Sequence, residues 1–410
     1  MNVTLDPSEG NSAVLVEITG SKSETNRLLI LQALFPGIRI ENASESDDSR
    51  VLVKALSSTS GRIDVHHAGT AMRFLTAYFA TQEDREVVLT GSDRMQQRPI
   101  GVLVDALRQL GAEISYTNEE GFPPLKIQGK KLTHNHVTLK ADISSQYISA
   151  LLLVAPSLTN GLLLDLQGTI TSRPYIEMTL SLLEQLGVAA TFRGNSIEVQ
   201  PLEAARNQVI TVESDWSSAS YFYSLVAISE CMEVTLRSYK RQSLQGDATL
   251  IVLYEKLGVF TSFSSGDNSI TLKKGATEIP EHFSADLSST PDIAQTIAVT
   301  CFGLGIGCTL TGLHTLKIKE TDRLHALKVE LEKLGAVVGI TEDSLSLATA
   351  QTIEEHVTIH TYQDHRMAMA FAPLALKVPL RVKDADVVSK SYPTFWDDME
   401  KAGLRVRYER

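Results

Sequence analysis

The chain has 410 residues, 43% of them hydrophobic, and a formal net charge of −11. This length is typical of two or more domains with sizeable cores, and an acidic surface disfavours nucleic acid and anionic membranes as partners. The three cysteines provide neither a disulfide framework nor a paired metal-ligand motif, so we expect buried thiols in a reducing compartment and no metal site.

The N-terminal stretch MNVTLDPSEG has neither the basic start and apolar run of a signal peptide nor a transit-peptide composition. Residues 293–316 contain no Asp, Glu, Lys or Arg and could span a membrane by length alone. Their glycines, threonines, Gln and His instead indicate a helix, a glycine turn and a strand. We therefore predict a buried αβ segment and a cytoplasmic protein.

Six helices with a common pattern are predicted along the chain, each an apolar helical repeat opened by small or polar residues. In chain order they are SKSETNRLLILQAL (21–34), GTAMRFLTAYFA (69–80), SSQYISALLLVA (144–155), SSASYFYSLVAI (217–228), TPDIAQTIAVTCF (290–302) and DHRMAMAFAPLAL (364–376). Each is followed by a short run typical of a strand, such as REVVLTG, and then by a second helical segment.

Glycines end most of these second helices, as expected just after a helix C-terminus. They are Gly111, Gly187, Gly258, Gly335 and Gly403, and their spacing gives a unit of about seventy residues. Alternating segments such as AEISYT and HVTLKADI are predicted to complete the units as strands. The sequence thus predicts an α/β protein of six helix–strand–helix–strand–strand modules, in two similar domains of three units each.

Cations stand at helix openings in five of the six units, where structure alone would favour Asp or Ser. In KIKETDRL (317–324), Lys317, Lys319 and Arg323 crowd the start of a helical segment. The openings of the fourth unit, DWSSASYF and QGDATL, keep the pattern without a cation, so the fold does not demand one. Because helix N-termini already bind anions, we predict ligands with several negative charges, such as phosphates and carboxylates.

Units of this kind could also form a non-catalytic repeat protein that only binds anions. Two carboxylates near the cations, Asp292 and Glu320, favour an enzyme instead, because an anion trap gains nothing from nearby acids.

Eight motifs together resemble those of the 5-enolpyruvylshikimate-3-phosphate synthase family, in order and spacing, over essentially the whole chain. They are GSKSETNR, AGTAMR, RPI, DISSQY, TSRPY, STPD, KETDR and YQDHRMAM. The resemblance implies the inside-out α/β barrel fold of the enolpyruvyl transferases, with the active site in an interdomain cleft. It places the N-terminal domain at residues 20–213, and the C-terminal domain at residues 1–19 with 214–410.

The resemblance also implies the reaction, which is transfer of enolpyruvyl from phosphoenolpyruvate to the 5-hydroxyl of shikimate 3-phosphate, with release of phosphate. This is a step of the shikimate pathway to chorismate and the aromatic amino acids. It implies no metal or organic cofactor, small-molecule substrates only, and a monomer. Both substrates are polyanions, which would account for the cations of KIKETDRL.

Site residues are carried over by matching motif positions. Those implied for shikimate 3-phosphate are Lys22, Ser23, Arg27, Ser144, Ser145, Ser172, Tyr175, Asp292, Thr315 and Lys319. Those implied for phosphoenolpyruvate are Lys22, Gly69, Arg98, Gln146, Arg323, Arg366 and Lys390.

The chemistry of an enol ether suggests the catalytic roles. Addition needs an acid that protonates the methylene carbon and a base near the attacking hydroxyl. Glu320 is our candidate acid, since a desolvated carboxyl can stay protonated, although a helix-start acid favoured by the dipole is the alternative. Asp292, with Lys22, is the candidate base.

Three positions depart from the family pattern. His67 stands where an Asn is usual, Phe74 replaces a common Pro, and Thr315 occupies the place of an Asn. The adjacent pair His66 and His67 is interpreted as structural, because neighbouring strand residues point to opposite faces.

The sister enzyme that acts on UDP-N-acetylglucosamine is the other catalytic reading. That enzyme usually carries a cysteine in the loop before RP, and here the loop reads GSDRMQQRP.

Overall fold

The structure is a computed structural model, which describes residues 1–8, 10, 13–140, 144–168, 170, 173–264 and 266–409. The chain forms two compact units, one of Met1–Gly20 with Glu213–Arg410 and one of Ser21–Val212. In chain order, the α-helices of the described residues are α1 (Lys22–Leu34), α2 (Asp47–Ser57), α3 (Gly69–Ala80), α4 (Asp93–Gln96), α5 (Gly101–Gln109), α6 (Ser145–Val154), α7 (Arg173–Gln185), α8 (Trp216–Ile228), α9 (Leu250–Glu255), α10 (Ala294–Gly303), α11 (Arg323–Lys333), α12 (His365–Phe371) and α13 (Phe395–Lys401).

Strands alternate with these helices along the chain. They are β1 (Asn2–Asp6), β2 (Ala13–Val16), β3 (Ile38–Glu41), β4 (Arg62–Asp64), β5 (Glu86–Thr90), β6 (Glu113–Tyr116), β7 (Leu125–Gln128), β8 (His136–Lys140), β9 (Leu162–Gln167), β10 (Ala190–Arg193), β11 (Ser196–Val199), β12 (Gln208–Thr211), β13 (Glu233–Leu236), β14 (Val259–Phe263), β15 (Ile270–Lys274), β16 (His282–Asp286), β17 (Gly307–Thr311), β18 (Val338–Ile340), β19 (Leu345–Leu347), β20 (Val357–Ile359), β21 (Leu380–Val382) and β22 (Arg405–Glu409). Short 3-10 helices at Ala155–Ser157, Gly246–Thr249, Pro291–Ile293, His314–Ile318, Ala372–Leu376 and Ala385–Lys390 complete the description.

Five four-stranded sheets share one topology. Their strand orders are β4–β5–β7–β6, β8–β9–β11–β10, β2–β13–β15–β14, β16–β17–β19–β18 and β20–β21–β1–β22. In each sheet the first two strands pair in parallel and the remaining pairs are antiparallel. A helix lies between the strands of the parallel pairs β4–β5, β8–β9, β16–β17 and β20–β21, as a parallel connection requires, whereas the antiparallel pairs β6–β7, β10–β11, β14–β15 and β18–β19 are consecutive strands. The α/β prediction and the repetition of the module are therefore confirmed.

The module differs from the predicted one in two respects. Each four-stranded sheet gains a strand that comes before the first helix, so β8, from HVTLKADI, pairs in parallel with β9 rather than with β6. The first unit instead has only a two-stranded parallel sheet, β12 with β3, and lacks the antiparallel pair. Alternation of apolar residues shows that a segment is a strand, but the partner is chosen by the fold.

The closing glycines occupy the backbone conformation predicted for them. Gly111, Gly187, Gly258, Gly335 and Gly403 all have positive φ, between 84° and 96°. Residues other than glycine rarely adopt this left-handed backbone conformation, which lets the chain turn away at the end of a helix.

The segment 293–316 forms a buried helix and strand, as predicted. Residues 294–302 of α10 are all buried, and β17 follows after a turn that includes Gly305 at positive φ. Among the described residues, the structure contains no helix with the length and apolar character needed to cross a membrane.

Candidate active site

Asp292 is the centre of a charged cluster in the unit of Glu213–Arg410. It lies in the 3-10 helix Pro291–Ile293, directly before α10. Its carboxylate accepts hydrogen bonds from Arg323 Nη1 at 2.9 Å and from Arg366 Nη2 at 3.3 Å, and Lys319 Nζ lies 3.4 Å away. Three cations thus meet at one carboxylate, and an anionic ligand could compete with that carboxylate for them.

The same cations control the protonation of Asp292. Burial alone would favour its neutral form, but the charges of Lys319, Arg366 and Arg323 outweigh burial and hold the pKa of this carboxyl well below its usual range. A carboxylate with so low a pKa is a weak base. Anions that bind the three cations would compete with Asp292 for them and so raise its proton affinity.

Glu320 belongs to this cluster as well. Its Oε2 accepts from Arg323 Nη2 at 2.9 Å, and its Oε1 lies 3.4 Å from Lys390 Nζ. The sequence predicts a desolvated carboxyl here, and the side chain is indeed only 16% exposed. An anion that engages Arg323 or Lys390 would compete with Glu320 for these cations.

Asp364 organises the two arginines. Its Oδ2 accepts from Arg323 Nε at 2.6 Å, while its Oδ1 accepts from the backbone N–H of Arg366 at 2.9 Å and so caps α12. Asp364 is fully buried. Buried charges of this kind are stable only when paired and hydrogen-bonded, so this carboxylate fixes the Arg323 guanidinium and the backbone at Arg366.

The fourth unit contributes polar partners instead of cations. Arg366 Nη2 donates to Ser217 Oγ at 3.2 Å, and Ser217 Oγ donates to Asp215, the N-cap of α8. Asp247, in the other opening of that unit, is buried, and burial, followed by the nearby charge of Asp292, raises its pKa to about 7. The openings without a cation therefore lie beside cations supplied by other units.

The cations of KIKETDRL have different surroundings. Lys319 and Arg323 face Asp292, whereas Lys317 pairs with Glu342 at 2.7 Å on the surface. The hydroxyl of Thr315 is buried and has no hydrogen-bond partner among the described residues. Its role toward a substrate stays a prediction.

In the unit of Ser21–Val212, Lys22 begins α1. Ser21 caps this helix by accepting from the backbone N–H of Glu24 at 3.5 Å. Lys22 Nζ lies 3.5 Å from Asp48 Oδ2, and the two side chains are 18% and 5% exposed. Asp48 lies in the first turn of α2 and is buried, so it limits the directions that the ammonium group can take.

Arg27 is buried and joins three helices. It donates to Thr179 Oγ1 at 2.7 Å, Ser23 O at 2.7 Å, Ser149 Oγ at 2.9 Å and Tyr175 O at 3.2 Å. A guanidinium has five N–H donors, so these contacts leave one for a ligand. Burial lowers the pKa of Arg27 to about 10. Its predicted contact with a substrate phosphate is thus combined with an internal structural role.

Gly69 and Arg98 are in direct contact, as their common assignment requires. A side-chain carbon built at Gly69 would lie 2.5 Å from Arg98 Nη1, so any larger residue would displace this guanidinium. Gln146 Nε2 donates to Thr70 Oγ1 at 3.2 Å, which brings the start of α6 to the start of α3. The helix openings of the second and third units thus meet.

Four further predicted residues lie at helix openings. Ser144 is the N-cap of α6 and accepts from the N–H of Gln146 at 3.4 Å, with Ser145 buried beside it. Ser23 and Tyr175 are half-buried in the first turns of α1 and α7. The prediction for Ser172 lies outside the described residues.

Two departures from the family pattern have different surroundings. Phe74 is fully buried, and the Arg27 guanidinium lies 5.5 Å from its ring centroid, so this departure borders a predicted site residue. His67 is exposed, and His66 before it has a positive φ of 49°.

Sequence reasoning missed several residues that position the charged groups. Asp48, Asp364, Ser217 and Asp247 were not among the predicted site residues, although all lie at helix openings. Acids and serines are ordinary helix caps, so nothing in the sequence distinguishes these from caps without a further role.

Comparison with known proteins places these observations in a family. The model of the EPSP synthase (3-phosphoshikimate 1-carboxyvinyltransferase) family matches residues 56–399. The 3-phosphoshikimate 1-carboxyvinyltransferase of Bacteroides fragilis is 46% identical over 397 residues, which cover 96% of each chain. The enzyme of the same name from Vibrio cholerae is 36% identical over 428 residues, covering 97% of this chain and 98% of the relative.

Solved structures show the same fold. EPSP synthase from Acinetobacter baumannii matches with a TM-score of 0.77 at 20% identity, over 99% of this chain and 100% of the other. The enolpyruvyl transferase NikO from Streptomyces tendae matches with a TM-score of 0.75 at 14% identity, over 100% and 98% of the two chains. The predicted fold of the enolpyruvyl transferases is therefore confirmed. This chain belongs to the EPSP synthase (3-phosphoshikimate 1-carboxyvinyltransferase) family.

Proposed function

We propose that this protein transfers the enolpyruvyl group of phosphoenolpyruvate to the 5-hydroxyl of shikimate 3-phosphate and releases inorganic phosphate. The observation that carries the proposal is the cluster around Asp292, where Lys319, Arg323 and Arg366 meet two carboxylates, Asp292 and Glu320. Cations alone would bind an anion. Carboxylates among them add groups that can accept and donate protons.

The reaction proceeds in two stages. In the first, the 5-hydroxyl oxygen bonds to C2 of phosphoenolpyruvate, the hydroxyl loses its proton, and the methylene carbon gains one, which gives a tetrahedral intermediate. In the second, the C2–O bond to phosphate breaks, and the new methyl group returns a proton to the enzyme. Glu320 is assigned to the methylene proton, and Asp292 with Lys22 to the hydroxyl proton.

The cations stabilise the charges that change during these steps. Arg323, Arg366 and Lys390 are assigned to phosphoenolpyruvate, together with Arg98 and the backbone at Gly69. A guanidinium fixed by a buried carboxylate keeps its orientation while charge develops on a leaving phosphate, and such preorganised groups contribute strongly to catalysis. Arg323 is fixed in this way by Asp364.

The shikimate 3-phosphate contacts are assigned to hydroxyl groups, cations and one carboxylate, namely those of Lys22, Ser23, Arg27, Ser144, Ser145, Ser172, Tyr175, Asp292, Thr315 and Lys319. Gln146 is assigned to phosphoenolpyruvate by its motif position, and its amide donates to Thr70 Oγ1.

Phosphate release tests this proposal directly. The protein mixed with phosphoenolpyruvate and shikimate 3-phosphate should release phosphate, and neither substrate alone should do so. UDP-N-acetylglucosamine replaces shikimate 3-phosphate in a parallel reaction. Release of phosphate with phosphoenolpyruvate and UDP-N-acetylglucosamine, but not with phosphoenolpyruvate and shikimate 3-phosphate, would show the sister activity instead. Binding of phosphoenolpyruvate and shikimate 3-phosphate without release of phosphate would show a non-catalytic protein.

A further inference from the structure

The connection between β20 and α12 contains an uncommon backbone. Tyr362 and Gln363 both have positive φ, 52° and 57°, and neither is glycine. Residues other than glycine rarely adopt this backbone conformation, and two such residues in succession persist only when surrounding contacts impose it. Asp364 follows at once, so the turn fixes the start of the segment that presents Asp364 and Arg366.

Helix α11 contacts this connection on both sides of the strained pair. At one end of α11, Arg323 donates to the Asp364 carboxylate at 2.6 Å. Two turns later, Glu330 Oε1 accepts from the Tyr362 hydroxyl at 2.6 Å, and its Oε2 accepts from the backbone N–H of His360 at 3.0 Å. Residues seven apart lie on the same face of a helix, so Arg323 and Glu330 allow one face of α11 to bond to both ends of the turn.

Glu330 itself is fully buried and well satisfied. Besides the two contacts to the turn, both of its oxygens accept from Lys333 Nζ, at 2.8 Å and 2.7 Å. Burial and the Glu330 carboxylate raise the pKa of Tyr362, so the phenol keeps its proton and remains a donor. A charged acceptor makes this hydrogen bond stronger than a neutral one.

We propose that Glu330 is a positioning residue for phosphoenolpyruvate, which acts through the Tyr362 hydroxyl to hold the turn that places Asp364 and Arg366. The inference rests on the proposed function, because Arg366 and Arg323 are assigned to that substrate there. Loss of the contact releases the turn, so that Asp364 no longer holds the Arg323 guanidinium or the start of α12, which carries Arg366.

Tyr362→Phe is the sharpest variant, since it removes one hydroxyl from a side chain that is 36% exposed and keeps the ring. We expect the KM for phosphoenolpyruvate to rise at least fivefold, with the KM for shikimate 3-phosphate and the thermal midpoint little changed. Glu332→Gln is the matched control, because Glu332 lies on the same helix and pairs with Lys328 rather than with the turn. Its KM values should stay within twofold of the wild type.

A double variant tests whether the two residues act through one contact. Glu330→Gln should also raise the KM for phosphoenolpyruvate, and Glu330→Gln combined with Tyr362→Phe should lose no more than the worse single variant. A KM for phosphoenolpyruvate that rises in the double variant by the product of the two single-variant factors would overturn the proposal. So would a Tyr362→Phe variant with unchanged kinetics, or one in which the KM values of both substrates rise equally.

Hydrogen exchange gives a readout that needs no activity. Without substrates, peptides that cover residues 360–367 should exchange at least fivefold faster in Tyr362→Phe, because the amides of Asp364 and Arg366 are bonded within this segment. Wild-type protein that releases no phosphate would refute the proposed function alone. Unchanged exchange in this segment would refute the role of Glu330 alone.

Discussion

Asp292 and Glu320 illustrate how neighbouring charges set the role of a single carboxyl group. Each pairs with arginine or lysine, and for Asp292 these cations hold the pKa of the carboxyl well below its usual range. Substrate phosphates and carboxylates would compete for the same cations. The proposed proton transfer by Glu320 would therefore be coupled to a filled site.

Replacement of Glu320 by Gln should lower kcat by about 10²- to 10⁴-fold, the usual contribution of a general acid. Gln has the same shape but cannot transfer a proton. Steady-state phosphate release measures the effect, and a thermal scan checks the fold. Glu342→Gln serves as the control, since Glu342 pairs with Lys317 and is 91% exposed. Equal rates in the two variants would remove Glu320 from the mechanism.

Asp247 should make stability depend on pH. Its pKa is about 7 in the folded protein, chiefly because of burial, against 3.8 ordinarily. Between these values the folded state binds more protons than the unfolded state, so stability falls as pH rises. We expect the free energy of unfolding of the wild type, relative to Asp247→Asn, to fall by about 2–4 kcal/mol between pH 4 and pH 7.

Urea unfolding at several pH values measures this difference. Well below pH 3.8 the Asp247 carboxyl is protonated in both states, and its stabilising effect is then complete. Asp267→Asn is a control of opposite sign, because hydrogen bonds from serines lower the pKa of exposed Asp267. Parallel curves for the wild type and Asp247→Asn would contradict the shift.

The two ends of the helices differ in the residues that they carry: predicted site residues lie at helix N-termini, and glycines with positive φ follow helix C-termini. The openings of α1, α6, α11 and α12 carry predicted site residues beside ordinary capping groups. Free N–H groups at these ends favour anions before any side chain contributes. The ends, by contrast, carry glycines at positive φ that only turn the chain.

Gly187→Ala should lower the free energy of unfolding by about 1 kcal/mol. Gly187 follows α7 with φ of 84°, and an added side-chain carbon would meet no atom within 4 Å, so the cost comes from the backbone alone. Gly266→Ala is the matched control, since its surroundings are also open and its φ is not in the left-handed region. The urea midpoint should fall for the first variant and not for the second. Equal midpoints would show that the left-handed turn is not required.

At the scale of the whole molecule, the acidic chain concentrates cations in a few places. The net charge is −11, yet Lys319, Arg323 and Arg366 surround one carboxylate. Acidic residues elsewhere account for the overall sign and oppose association with nucleic acid. That the protein is a monomer remains a prediction.

Substrate binding should stabilise the folded protein by mass action. Shikimate 3-phosphate at about 100 times its Kd should raise the free energy of unfolding by about 2.7 kcal/mol, because the ligand binds only the folded state. Thermal midpoints recorded against ligand concentration measure this effect. UDP-N-acetylglucosamine at equal concentrations should leave the midpoint unchanged, and an equal shift with both ligands would contradict the proposed acceptor.

The α/β class, the repeated unit, the glycine turns and the ordered motifs that identify the family could all be predicted from the amino-acid sequence. These properties depend on local periodicity, on the backbone freedom of glycine and on short spacings, all of which are written in neighbouring residues. Lys22, Arg323 and Arg366 could be named from their motifs for the same reason.

Which strands pair and which side chains contact one another could be seen only in the tertiary structure. Strand β8 pairs with β9 rather than β6, Arg366 reaches Ser217 of another unit, and Asp364 orients Arg323 across 41 positions of sequence. Asp48, Asp247 and Glu330 look like ordinary helix acids in the sequence. Their importance comes from burial and from the partners that folding brings to them, because both the cost of a buried charge and its compensation depend on distances in space.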